Sequence, residues 1–208
     1  MNPYHKITTV YKRDPETNYK TLLEGKFASP EFEYLADNRW SFSEKVDGTN
    51  IRIMFDGEGL AVGGRTDKAQ LPIFLVLRLH DIFLPKLEIF KGFGVNNFCL
   101  YGEGYGAKIQ KGGGNYRQDQ GFVLFDVKNG DRWLRRGDVE SIAEELDIEV
   151  VPDIGSGTLA EMVEMARQGF NSAWGDFMAE GIVARPAVEV KSRSGHRIIT
   201  KVKCKDFR

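Results

Sequence analysis

Ser41-Phe42-Ser43-Glu44-Lys45-Val46-Asp47-Gly48-Thr49-Asn50-Ile51-Arg52-Ile53-Met54-Phe55 is the stretch on which the fold turns. Polar and apolar residues alternate through Val46, break at Asp47-Gly48, and alternate again from Ile51 to the Asp56-Gly57 turn. A period of two marks strands with one buried face, and Asp-Gly is a strong turn signal, so the stretch predicts a hairpin-rich sheet. A lysine leaving a strand into such a turn holds its ammonium over a concave surface. To attack a phosphate it must shed a proton, which desolvation or a nearby cation such as magnesium favours. A compact, flexible ammonium suits that task better than a guanidinium. Taken alone, the string has an equally ordinary reading as an Asp-Gly hairpin with a solvated lysine.

Upstream, Ser29-Pro30-Glu31 sets an N-cap serine before a proline and an acid in the first turn, predicting a short helix toward Leu35. Downstream, residues 72–90 carry Phe74, Leu75, Leu77, Leu79, Ile82 and Phe83 at mixed helical spacing before Pro85. This predicts a core helix ending there, with a second helical turn after it. Residues 97–101 and 122–127 are apolar and aromatic runs of strand length, while 138–146 and 158–168 read as amphipathic helices. The second has a capping box in Thr158 and Glu161 and a stop at Gly169. Residues 181–185 and 197–202 read as closing strands, which makes the class α+β.

With 208 residues and 41% hydrophobic content the chain can bury one sizeable core, so one domain over 1–208 is expected. The net charge of −1 provides no overall basic field, and any nucleic-acid contact must come from a local patch. Cys99 and Cys204 lack metal-ligand or disulfide-framework spacing, which fits a reducing cytoplasm. Residues 1–6 show no secretory pattern, and the apolar stretch around 72–79 is interrupted by Arg78 and far too short for a bilayer. The chain is therefore read as intracellular, with no membrane partner.

Four further strings follow Lys45-Val46-Asp47-Gly48-Thr49-Asn50 in order: Leu100-Tyr101-Gly102-Glu103, Phe122-Val123-Leu124-Phe125-Asp126-Val127, Glu180-Gly181-Ile182-Val183 and Lys201-Val202-Lys203-Cys204-Lys205-Asp206-Phe207. Together they resemble motifs I, III, IIIa, IV and V of the covalent nucleotidyltransferases, the superfamily of ATP-dependent DNA ligases, RNA ligases and mRNA capping enzymes. Asn50 and the spacing of Lys201, Lys203 and Phe207 are most similar to the RNA-ligase-2-like branch, and Gly64-Arg65-Thr66 sits where that branch carries an arginine.

The resemblance implies an adenylyltransferase domain of two antiparallel sheets flanked by helices, with the nucleotide held between them. It implies ATP as cosubstrate, AMP carried covalently on Lys45, and magnesium or manganese bound by Glu180. Glu103 would bond the ribose hydroxyls, Phe125 would stack on adenine, and Lys201 and Lys203 would contact the α-phosphate. Asn50 and Arg65 would orient phosphates and the end being joined, and Glu44 is counted with the nucleotide-binding residues. The implied substrates are RNA ends, a 5′-phosphate and a 3′-hydroxyl, on a nicked duplex, single strands or a broken stem-loop.

Each residue also has an ordinary reading: Glu103 as a loop acid, Phe125 as core, Glu180 as a surface acid, Lys201 and Lys203 as one solvated strand face. Their joint order and spacing argue against coincidence. The rival readings are a DNA ligase core and a non-catalytic nucleotide-binding or RNA-end-binding module. The chain stops just after the last string, so neither an OB-fold nor a helical domain is expected to follow. This leaves a minimal ligase, one gripping RNA through a protein partner, or a trimmed chain. Gly112-Gly113-Gly114 after Lys108 and Lys111 reads as a phosphate-approaching loop or a plain mobile turn. Arg132, Trp133, Arg135 and Arg136 read as an RNA-binding cluster or a solvated hairpin. His5, His80 and His196 are scattered and receive no chemistry.

Overall fold

The structure is a computed structural model that describes residues 3–94 and 96–208; Met1 and Asn2, part of the N-terminal stretch read above, lie outside them. The chain divides into two compact units. A framing unit comprises Lys6–Val46 and Pro152–Arg208, and an inserted unit comprises Asp47–Val151 together with residues 3–5.

The framing unit begins with β1 (Thr8–Thr9), β2 (Tyr11–Arg13), β3 (Leu22–Phe27), α1 (Pro30–Tyr34) and β4 (Trp40–Glu44). In α1 the Ser29 hydroxyl accepts from the Phe32 N–H, the cap that Ser29-Pro30 announces. The inserted unit follows with β5 (Thr49–Phe55), β6 (Leu60–Gly64), α2 (Ile73–Phe83), α3 (Leu87–Gly92), β7 (Phe98–Gly106), α4 (Gly113–Tyr116), β8 (Gln120–Asn129), β9 (Arg132–Trp133), α5 (Arg136–Glu145) and β10 (Glu149–Val150). The chain then completes the framing unit with β11 (Asp153–Gly157), α6 (Leu159–Gln168), β12 (Gly181–Pro186) and β13 (Thr200–Lys203). Among the described residues no helix is long and apolar enough to cross a membrane.

The framing unit's main sheet has the order β1-β13-β12-β4-β11, beside a small β2-β3 sheet. One face packs Phe42, Ile182 and Val202 with Leu159, Met162 and Val163 of α6 and with Trp40. The inserted unit's sheet has the order β10-β8-β7-β5-β6, with β9 on β8. Its apolar face joins Ile51, Ile53, Leu100 and Leu124 to Leu75, Leu79 and Phe83 of α2 and Val139 of α5. Both sheets are largely antiparallel, as expected, but each carries one parallel edge pairing, β1 with β13 and β10 with β8.

The Asp47-Gly48 turn does not close a hairpin. β4 is paired on both edges, with β12 and β11, and β5 is paired on both edges, with β6 and β7, so neither has an edge to offer the other. The Asp56-Gly57 turn does close one, between β5 and β6. Gly112-Gly113-Gly114 is likewise not a loose turn. It enters α4, and the segment folds back through Ala107 N–H donating to the Arg117 and Asp119 carbonyls at 3.1 Å.

Leu79 has no exposed surface, so Leu79→Ala should destabilise the protein by about 2–5 kcal/mol, checked by urea unfolding. Burial pushes the Cys99 thiol up to about 11, leaving roughly one thousandth as thiolate at pH 8. Iodoacetamide should therefore label buried Cys99 and Cys204 only after denaturation, checked by mass spectrometry.

Candidate active site

In the framing unit, antiparallel register places Ser43, Val183 and Lys201 in one row. In the next row Gly181 pairs with Lys203 and receives the Lys45 N–H on its carbonyl at 2.9 Å. Because side chains alternate, Lys45, Lys201 and Lys203 share the face opposite the α6 core. A side chain at position 181 would stand between Lys45 and Lys203, and its Cβ would lie 2.1 Å from the Val202 carbonyl oxygen. Glycine is what the close pairing of β12 and β13 permits there.

Glu180 precedes that glycine and ties the row together. Its Oε2 accepts from Lys45 Nζ at 2.5 Å and its Oε1 from Lys203 Nζ at 2.6 Å. The three side chains are only 11–24% exposed, so these charges meet where water screens them weakly. One carboxylate thus holds two of the three lysines singled out from the sequence, and Lys201 lies two residues along the same strand face.

Glu44 falls elsewhere. The alternation that turns Lys45 toward Glu180 turns Glu44 to the opposite, core-packed face, where it is 1% exposed. Its oxygens accept from Ser172 Oγ at 2.6 Å and the Ala173 N–H at 2.8 Å. The structure thus gives this side chain the task of holding the 172–173 segment and does not bring it to the lysine face.

In the inserted unit, β5 and β7 pair Asn50 with Glu103 and Arg52 with Tyr101, on the face opposite the apolar core. Asn50 and Glu103 are partly buried, and Asn50 Oδ1 is buried with no hydrogen-bond partner. Gly48 lies against Glu103; a Cβ there would fall 2.6 Å from Glu103 Cγ and 2.4 Å from the Gly104 carbonyl oxygen. The folded 107–119 segment secures this turn, with Gln110 Nε2 donating to the Gly48 carbonyl at 3.1 Å and the Asp47 N–H to Tyr116 Oη at 3.2 Å.

Phe125 sits on a β-bulge. Tyr101 pairs with Asp126 and Gly102 with Leu124, which leaves Phe125 as the extra residue of β8. The bulge keeps Phe125 and Asp126 both on the polar face and returns Val127 to the core. Tyr4 packs edge-on to Phe125 at 5.0 Å between ring centroids, and its hydroxyl donates to fully buried Asp126 at 2.6 Å. Arg65 is exposed just past β6. The residues around it are anchored by buried Arg52, which donates to the Gly64 carbonyl and to Asp67 Oδ1, each at 2.7 Å. That guanidinium holds the Asp67 carboxyl below the usual range.

Sequence reasoning missed Tyr4, Arg52, Asp126 and Ser172. Asp126 carried a signal, an aspartate inside an apolar run, whereas Tyr4 and Ser172 carried none. Trp133 turns inward, packing on Tyr4 and Tyr101 at 5.6 and 5.1 Å between ring centroids. Arg136 is paired with Glu140 at 2.6 Å, whereas Arg132 and Arg135 are exposed, so only part of this cluster is knitted into the unit.

Residues 38–203 match the RNA ligase family, and the chain belongs to it. No curated protein matches the sequence. Among solved structures it is similar to Naegleria gruberi RNA ligase with PPi, with a TM-score of 0.66 and 17% identity over 98% of this chain and 58% of that one. A lysine-to-methionine mutant of that ligase with AMP and Mn gives 0.67 and 16% over 98% and 58%. A glutamate-to-alanine mutant with ATP and Mn gives 0.65 and 19% over 84% and 52%. The chain thus spans somewhat more than half the length of these ligases, and the likeness is one of fold.

Ser172→Ala removes a hydrogen bond to a buried carboxylate and should cost about 1.5–3 kcal/mol, checked by urea unfolding.

Proposed function

We propose that this chain carries out the chemistry of an ATP-dependent RNA ligase, with Lys45 as the nucleophile. The observation that carries this reading is the Lys45–Glu180–Lys203 cluster, an amine donor and a second cation fixed by one carboxylate on a sheet face. Membership of the RNA ligase family supports it, as does the likeness to a ligase solved with ATP, AMP and PPi.

In the first step Lys45 Nζ, having lost one ammonium proton, bonds to the α-phosphorus of ATP as the bond to pyrophosphate breaks. Glu180 Oε2 is the nearest acceptor for that proton. Lys203 and Lys201 offer positive charge where negative charge builds on the phosphate. AMP then passes from Lys45 to a 5′-phosphate of RNA, and a 3′-hydroxyl displaces it to form the phosphodiester. In the inserted unit, the Phe125 ring presents a stacking surface for adenine and Glu103 acceptors for ribose hydroxyls. Asn50 and Arg65 are donors suited to phosphate.

Among the described residues no group of three or more His, Cys, Asp or Glu side chains could hold a metal ion. A cation that keeps most of its water and takes further ligands from substrate phosphates needs only one or two carboxylates, and Glu180 fits that demand for magnesium or manganese. When bound, such an ion would neutralise phosphate charge. Glu180 would then exchange an ammonium contact for the ion.

Incubation with α-labelled ATP and magnesium should give an acid-labile AMP adduct that maps to Lys45 and is absent from Lys45→Ala. Lys203→Ala should slow its formation by about 10²–10³. Folded protein that forms no adduct with ATP, GTP or NAD would sink the reading. Equal sealing of all-DNA and RNA strands would reassign it to a DNA ligase core.

A further inference from the structure

β12 and β13 carry Gly181 and Lys203 of the cluster, and the chain between them extends past the sheet as an exposed hairpin. From position 185 to position 197 it holds four cations, Arg185, Lys191, Arg193 and Arg197, against one carboxylate, Glu189, in a chain whose net charge is −1. The tip is folded. Ser192 N–H donates to the His196 carbonyl at 2.8 Å and Gly195 N–H to the Ser192 carbonyl at 2.9 Å. The His196 N–H also donates to Ser192 Oγ at 3.2 Å.

The charge at the tip faces solvent. Lys191 stands directly opposite Arg197 in an antiparallel bridge, which sets two cations across the ribbon from one another. Lys191 and Arg193 are exposed, and among the described residues neither is in an ion pair. Arg185, Lys191 and Arg197 also line one concavity, three cations to the one carboxylate of Glu189, together with Ile198 and Ile199. Cations spaced from the tip of a two-stranded ribbon to its base, continuing along β13 into Lys201 and Lys203, match a chain of phosphates better than a single anion.

We propose that the 185–197 hairpin binds the phosphodiester backbone of the RNA being sealed, without reading its bases. This deepens the RNA ligase reading and rests on it for the identity of the strand.

The test compares wild-type protein with Lys191→Gln/Arg193→Gln in two assays: adduct formation with ATP alone, and affinity for a 5′-phosphorylated RNA oligonucleotide across a salt series. The expected result is unchanged adduct formation, RNA binding weakened roughly tenfold, and a log–log salt slope shallower by about 1 per lost phosphate contact. Lys191→Arg/Arg193→Lys, which keeps both charges, should bind RNA as wild type does. Unchanged RNA affinity and slope in the glutamine variant would overturn the proposal, as would an equal loss in the ATP step. Wild-type protein that forms no adduct yet binds RNA through these two residues would overturn the ligase reading and leave the hairpin's assignment standing.

Discussion

Two ammonium groups and one carboxylate within hydrogen-bonding reach, largely sheltered from water, are stable only in good geometry. Desolvation costs each charge several kcal/mol, and pairing offsets it only when the contacts are short and directed. At Glu180 they are, at 2.5 and 2.6 Å. That geometry is produced by strand register and by packing on the reverse face. The register of β4, β12 and β13 brings Lys45 and Lys203 to either side of Gly181, and the absent side chain there leaves them room. On the reverse face, Phe42, Ile182 and Val202 pack with α6 and lock the register, because a slip of one residue would bury the lysines and expose the core. Without Glu180 the same register would leave like charges facing across an empty position.

Much of this was legible from the sequence because it rests on local rules. Ser29-Pro30 and the Thr158–Glu161 box cap helices where they stand, and Pro85 ends α2 near the expected place. The period of two through Ser43 and Lys45 correctly gave the lysine a face distinct from Phe42. The same period, applied to Glu44, would have shown that its side chain points away from Lys45. What failed was whatever depends on strands distant in sequence. Asp47-Gly48 has the chemistry of a hairpin turn, yet both flanking strands are claimed on both edges by partners from 60 onward, and tertiary pairing overrides the local signal.

Phe125 shows a second limit. In residues 122–127 every position but Asp126 is apolar, so alternation has nothing to grip and a bulge cannot be seen. Only the pairing of Tyr101 with Asp126 reveals that the strand has one residue too many. Asp126, buried, finds its donor in Tyr4, 122 positions earlier. A tyrosine near a chain start carries no local mark of such a role.

The parallel pairing of β1 with β13 also has a temporal meaning. Residues 47–151 contain all the strands of their sheet in one continuous stretch, so that sheet can form as soon as its last strand emerges during synthesis. The framing sheet cannot. Its second strand in spatial order, β13, is the last to be made, and it lies between β1 and β12. Lys45 is therefore translated long before Lys203, its fellow cation on the Glu180 carboxylate. The cluster is completed late in biosynthesis, after the inserted unit has had time to fold.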